Sequence, residues 1–99
     1  MIVGKIIGTV VCTQKDASLI GKKMLVVQPL KMTDLSNAGS PFIALDAIGS
    51  GVGEVVMVVG GSSARLADDF SKVAVDQSII GIIDTIEMEG KVTFTKEAG

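Results

Sequence analysis

Residues 1–13 read MIVGKIIGTVVCT, and this stretch decides the fold. Side chains on a β-strand alternate between two faces, and the stretch can be divided in that way into a nonpolar face and an amphipathic face. The nonpolar face holds Ile2, Gly4, Ile6, Gly8, Val10 and Cys12. Two glycines four residues apart allow a strand to coil sharply. The stretch therefore predicts one long first strand, wound around a small barrel.

The rest of the chain continues as short aliphatic runs separated by polar or glycine-rich loops. β-Branched and other aliphatic residues favour strands, and glycine and proline end them. Further strands are predicted at Met24–Leu30, Phe42–Ile48, Glu54–Val59, Ile79–Met88 and Lys91–Thr95, with Val73–Ser78 returning to the sheet. Pro29 cannot donate to a central ladder and should stop the second strand, and Glu89-Gly90 is a predicted tight turn.

One short helix is predicted between the fourth and fifth strands. Ser62 or Ser63 can cap one or two helical turns that run through Asp69. The element order then predicts an all-β fold, namely a small OB-like five-stranded β-barrel with one short helix. Because OB barrels serve unrelated functions, the fold alone does not define a site.

Length and composition restrict the function. The chain has 99 residues, too few for two buried cores, so residues 1–99 are predicted to be a single domain. Histidine is absent, which removes the usual general base and the commonest metal ligand. No enzyme activity, catalytic residue, cofactor or metal is therefore expected.

The same composition argues against several partners and compartments. A net charge of −2, with no Trp or Tyr, supplies neither a basic groove nor stacking platforms for nucleic acid. No signal peptide or membrane-spanning run is recognisable. The single cysteine, Cys12, cannot form an internal disulfide and is interpreted as a small core residue. A cytoplasmic location is expected, with no nucleic-acid or membrane partner.

The strands carry more apolar surface than one small barrel can bury. In the fourth strand Val55, Met57 and Val59 face one way, while Val56 and Val58 face the other. A barrel has only one interior, so the second face needs a cover. Another copy of the chain is the favoured cover, and the alternative is that the helix and loops of the same chain provide it.

Two glycine-rich segments invite a ligand-binding interpretation. Residues 49–53, GSGVG, do not complete a dinucleotide fingerprint, because Glu54 replaces the last glycine and a strand follows. Gly60–Arg65 precedes the predicted helix and could hold a small anion through backbone N–H groups and Arg65. The favoured interpretation is instead a capped helix start in which Arg65 pairs with a fixed carboxylate, for which Glu54, Asp76 and Asp84 are candidates. Acid–base chemistry by paired carboxylates is only weakly indicated.

Four segments, taken together in their order along the chain, resemble those of a known family. The four segments are Met1–Val10, Ala47–Glu54, Gly61–Arg65 and Val75–Asp84. The strand around Gln28-Pro29-Leu30 extends the resemblance over nearly the whole chain. The chain resembles the bacterial microcompartment vertex proteins of the EutN/CcmL type. The resemblance implies a cyclic pentamer of OB-like barrels that plugs the fivefold vertices of a cytoplasmic polyhedral shell, beside hexameric shell proteins.

The resemblance also implies roles for particular residues. The lining of the axial opening is assigned to Gly49, Ser50, Gly51, Val52, Gly53 and Glu54, and the subunit interface to Ser62, Ser63, Arg65, Asp76 and Asp84. Ser50 stands where the family leads us to expect alanine, a change expected to leave the loop unaltered. The alternative function is a small cytosolic OB-like module that binds an anion or another ligand without catalysis.

Overall fold

A computed structural model describes residues 1–14, 17–61 and 76–96 of the chain. Over these residues the elements are a 3-10 turn at Ala17–Leu19 and seven strands: β1 (Ile2–Val10), β2 (Met24–Pro29), β3 (Phe42–Asp46), β4 (Val55–Gly60), β5 (Gln77–Ile82), β6 (Thr85–Met88) and β7 (Lys91–Thr95). Five strands close a barrel in the order β1-β2-β3-β5-β4, and β6 pairs with β7. The β3–β5 pair is parallel and the other barrel pairs are antiparallel.

This topology confirms the predicted OB-like five-stranded barrel. Its interior is filled by aliphatic side chains that alternate inward from all five strands. They are Ile6, Leu25, Val27, Ala44, Val56, Val58 and Ile79, each 1% exposed or less. Burying one Val, Leu or Ile side chain stabilises a fold by about 1.5–3 kcal/mol. The predicted helix over residues 62–69 lies outside the described residues.

A β-bulge in β1 corrects the predicted division of that strand into two faces. Ile6 pairs with Val27, but Gly8 pairs with Val26, so Ile7 is an extra residue on β1. Two residues of the bulged strand then face one residue of its partner, and the alternation of faces shifts by one position. Gly8 consequently lies on the outer face with Val26, whereas the sequence pattern placed it on the same face as Ile6.

The shift also moves the end of β1 out of the barrel interior. Val10 pairs with Met24, and both pack with Leu45 in a second apolar cluster. Cys12 and Leu19 contact the same cluster, and Leu19 belongs to the 3-10 turn that follows β1. Cys12 is thus half-buried in a satellite cluster rather than on the inward face of the first strand.

Gly4 is where β1 and β2 approach most closely. A Cβ atom at this position would overlap a methyl group of Val27 and lie 3.1 Å from the carbonyl oxygen of Gln28. Val27 is fully buried and cannot swing away. The sequence predicted that this glycine lets the strand coil, and the structure shows that it also permits a close approach of β1 to β2.

The second, third and fourth strands differ from their predicted bounds by one or two residues, and two other predicted strands differ by more. The first strand covers Ile2–Val10 instead of Met1–Thr13, because the chain turns away toward Leu19. The predicted fifth strand, Ile79–Met88, is two strands: the Ile83 N–H still donates to the Val55 carbonyl at 2.8 Å, after which the chain bends and pairs with β7. The tight turn is confirmed, since Glu89 and Gly90 have φ values of 52° and 78°.

Candidate functional site

The loop between β3 and β4 contains the segment assigned to the axial opening, and a buried carboxylate anchors its first half. Asp46 ends β3 with a side chain only 1% exposed. Its Oδ1 accepts hydrogen bonds from the Ser50 hydroxyl at 2.8 Å and from the Ile48 N–H at 3.2 Å. The Lys23 ammonium lies 3.5 Å from Oδ2 and also donates to the Ser50 carbonyl. Asp46 therefore holds the side chain of Ser50, and Lys23 holds its main chain.

Asp46 remains ionised in spite of its burial. Burial alone would raise the pKa of this carboxyl group, but hydrogen bonds from the side chain and backbone of Ser50, the Ile48 N–H and the Lys23 charge outweigh it. The net effect holds the pKa of Asp46 below its ordinary value. At neutral pH the first half of the loop is thus fixed by a charged acceptor with several donors.

A second carboxylate holds the other half of the loop. Glu54 Oε1 accepts the Gly51 N–H at 2.7 Å, and its Oε2 lies 3.2 Å from the Lys96 ammonium. The Gly51 hydrogen bond and then Lys96 lower the pKa of Glu54. The backbone is also tied to β1, because Gly53 donates to the Ile6 carbonyl at 2.8 Å and Ile6 donates to the Glu54 carbonyl at 3.0 Å.

Between these anchors the loop presents backbone and aliphatic side chains to solvent. Gly49 and Gly53 have φ values of 81° and 94°, which confirms that some of the loop glycines adopt a conformation that favours glycine. Ile48 and Val52 are exposed. The carboxylates at the two ends of the loop are engaged by donors of the same chain, so the side chains that the loop leaves most exposed are aliphatic.

Three of the residues assigned to the subunit interface, Ser62, Ser63 and Arg65, lie outside the described residues. The other two, Asp76 and Asp84, have exposed side chains at opposite ends of β5. Their carbonyl oxygens accept the Gly61 N–H at 2.8 Å and the Lys96 N–H at 2.7 Å. The Gly61 N–H, one of the donors considered for a small anion, is therefore already used within the chain.

The outer surface of the barrel carries two apolar regions that the described residues leave open. We call the first the outer groove, a depression of about 460 Å³ beside β4 and β6. Its apolar lining is Met1, Ile2, Val3, Met32, Met57, Ile83 and Ile86, and Thr85 and Glu87 of β6 also line it. We call the second the β2–β3 patch, formed by Ile7, Val26 and Ile43. In this patch Ile7 is 48% and Ile43 53% exposed.

The chain nevertheless covers part of its own second face. Leu19 packs on the cluster of Met24 and Leu45, and Val55 is buried next to a pocket that Phe94 also lines. Loops and the β6–β7 hairpin thus cover some outer residues within the chain, whereas the described residues leave the groove and the patch open.

Within the described residues, no three Cys, Asp or Glu side chains gather as a metal site. No helix in this part of the chain is long and apolar enough to cross a membrane.

Comparison with known proteins places this geometry in a family. Residues 1–84 match the family described as "Ethanolamine utilisation protein EutN/carboxysome". The chain belongs to this family. Among curated members, it is 45% identical over 87 residues to the microcompartment shell vertex protein GrpN of Rhodospirillum rubrum, covering 88% of this chain and 97% of GrpN. It is 40% identical over 100 residues to the carboxysome shell vertex protein CcmL of Synechococcus elongatus, covering 97% and 96% of the two chains.

Solved structures of EutN/CcmL family members share the fold over nearly their whole length. CcmL of Nostoc sp. superposes with a TM-score of 0.91 at 36% identity, covering 97% of this chain and all of that one. The pentameric shell protein GrpN of Rhodospirillum rubrum superposes with a TM-score of 0.80 at 45% identity, covering 89% and 99%. The comparisons confirm the predicted family and the role of a structural shell protein, and they favour neither an enzyme nor a ligand-binding module.

Proposed function

We propose that five copies of this EutN/CcmL family member form a ring that closes a fivefold vertex of a microcompartment shell, with hexameric shell proteins around its rim. In this ring the Gly49–Glu54 loops surround the axis. The observation that carries the placement is the anchoring of the loop by Asp46 and Glu54, each through its own set of donors. A loop held from inside its own subunit keeps its shape whether or not neighbours are present.

The composition of the loop supports the same placement. Five copies can approach one axis only if their facing segments are slim, and residues 49–53 contain three glycines. Like charges would repel one another around the axis, but the Glu54 carboxylate points back to Gly51 and Lys96. The exposed side chain of this segment is the aliphatic Val52.

The interface proposed from the family resemblance includes Ser62, Ser63, Arg65, Asp76 and Asp84. Arg65 is the only arginine of the chain, and its planar guanidinium suits a fixed carboxylate. Glu54, one of the three candidates, already contacts Lys96 and the Gly51 N–H. Asp76 and Asp84 are exposed and are the acceptors that we propose for arginine across the interface.

Co-assembly with hexameric shell proteins tests the vertex function. Hexagonal tiles alone form flat sheets or open tubes, whereas fivefold units allow a closed shell. We therefore expect closed polyhedral particles by electron microscopy when a hexameric shell protein of the same compartment is produced with this chain, and open sheets or tubes without it. Closed particles of equal number and shape in its absence would contradict the proposal.

A further inference from the structure

We propose that the β2–β3 patch of one subunit seats in the outer groove of the next subunit around the ring. This inference rests on the pentamer of the proposed function and adds the two surfaces that meet. A cyclic ring needs a heterologous interface, in which one surface of a subunit meets a different surface of its neighbour. The occupant of the groove is thus a second copy of this chain.

The two surfaces are placed as such an interface requires. β1 pairs with β2 along one edge and with β4 along the other. The β2–β3 patch lies on the side of the barrel where β1 pairs with β2 and takes Ile7 from β1. The outer groove lies on the side where β1 pairs with β4, with Val3 of β1 paired to Met57. The patch and the groove of one subunit therefore face in different directions and cannot cover each other.

The patch has the form of a projection. Val26 and Ile43 are paired neighbours on β2 and β3, and their side chains share the outer face. The bulge leaves Ile7 exposed beside them. Gly8 pairs with Val26 and has no side chain to shield it. Three branched aliphatic side chains consequently share the outer face of the barrel, and Ile7 and Ile43 are each about half exposed.

The groove has the complementary form and chemistry. Three of its seven apolar lining residues are methionines, namely Met1, Met32 and Met57. Methionine side chains are unbranched and polarisable, and they adapt to irregular aliphatic surfaces. Soluble proteins rarely leave contiguous apolar surfaces exposed unless those surfaces form interfaces. Burial of the patch in the groove removes both apolar surfaces from water in one contact.

Single substitutions on each surface test the contact. Ile43→Glu places a carboxylate on the patch, and Met32→Glu places one in the groove, where Met32 is 52% exposed. Both side chains are exposed in the single subunit, so each variant is expected to keep its fold. A carboxylate left in an apolar interface is strongly unfavourable. We expect the concentration at which the ring dissociates to rise at least about 100-fold in each variant.

Ile20→Glu is the matched control, because it makes the same change at a residue that is 67% exposed and belongs to neither surface. Native mass spectrometry should show it as a ring of five 10.2-kDa chains, like the unsubstituted protein. Circular dichroism of the two dissociated variants should retain the β-sheet spectrum.

A mixing experiment identifies which surface meets which. The Ile43→Glu chain keeps an intact groove and the Met32→Glu chain keeps an intact patch, so an equal mixture should form dimers of one chain of each kind. Neither variant should form these dimers alone. The inference would be overturned if rings of both variants stayed intact, if the variant chains unfolded before their rings dissociated, or if the mixture formed no mixed dimers. The proposed vertex function would stand in each of these cases. An unsubstituted protein that is not pentameric would overturn the proposed function itself.

Discussion

Ser50 shows how one hydroxyl group can fix a loop. Its side chain is fully buried and donates to the Asp46 carboxylate at 2.8 Å. The sequence comparison with the family led us to expect alanine here and no effect on the loop. The observed contact shows that serine and alanine are not equivalent at this position, because alanine would leave a buried carboxylate with one hydrogen-bond donor fewer.

We predict that Ser50→Ala lowers the free energy of unfolding by about 1–3 kcal/mol, the cost of removing one hydrogen-bond donor from a buried, charged acceptor. Ser36→Ala is the matched control, since the Ser36 hydroxyl also donates to an aspartate, Asp34, at 2.7 Å but in an exposed turn. Its effect should stay within about 0.5 kcal/mol. Urea unfolding followed by circular dichroism measures both effects. Equal losses of unfolding free energy in the two variants would show that burial does not strengthen the contact.

Asp46 also predicts how stability responds to acid. Its pKa is lowered in the folded chain from an ordinary value of 3.8. The stabilisation from its ionised form is therefore fully present above pH 3.8 and is lost as the pH falls through the lower pKa of the folded state. We expect Asp46→Asn to weaken the fall of unfolding free energy with acid in that range, measured by urea midpoints at a series of pH values. Parallel curves for the two proteins would contradict this.

The Gly49–Glu54 loop makes a prediction at the scale of an element. A Cβ at Gly51 would meet only a Glu54 carboxylate oxygen at 3.8 Å, and the residue has no positive φ, so one subunit can accept a larger side chain. Five copies around the axis cannot do so without crowding. Gly51→Val should therefore destabilise or widen the ring while the single subunit stays folded, as measured by native mass and circular dichroism.

The control for this substitution must not strain the subunit. Gly39 lies in a polar loop, but its φ of 118° would strain any side chain. Ala38→Val in the same exposed loop is the suitable control and should leave assembly unchanged. If Gly51→Val rings resist dilution and heat as well as unsubstituted rings do, the loop does not line the axis.

The elements also show which parts of the fold were predictable. The barrel could be predicted because aliphatic alternation and turn residues such as Glu89-Gly90 are local signals. The bulge at Ile7 could not, because aliphatic residues stand on both faces of β1 and the alternation alone does not mark where a shift by one residue occurs. The break after Ile82 was missed for a similar reason, since the aliphatic run continues through Ile83 while its pairing partner changes.

The candidate site was predictable in position but not in its internal contacts. The glycines of residues 49–53 mark a loop by their sequence alone. Lys23 lies 27 positions from Ser50, so only the closed barrel brings them together. A weaker signal was available in Asp46, because an aspartate that ends a strand commonly accepts a hydrogen bond from the N–H two residues later, here that of Ile48.

At the scale of the whole molecule, Arg65 predicts how the ring responds to loss of one charge. If its guanidinium pairs with Asp76 or Asp84 across the interface, Arg65→Ala leaves a carboxylate in the interface without its partner. We expect this substitution to weaken assembly by about 2–5 kcal/mol. Lys31→Ala, in an exposed loop, should change assembly by about zero. Sedimentation at a series of protein concentrations compares the two, and identical dissociation curves would remove Arg65 from the interface.

The bulge in β1 makes the presence of one residue between Ile6 and Gly8 matter more than the side chain which that residue carries. Replacing Ile7 by alanine keeps the count, so the barrel should still fold even if the β2–β3 patch is weakened. Deleting Ile7 would instead turn Gly8 and Val10 toward the interior and remove Val10 from the cluster with Met24. An in-frame loss of this single codon is therefore expected to give insoluble protein, whereas the alanine codon gives soluble chains, and a solubility assay on the two expressed variants distinguishes these outcomes.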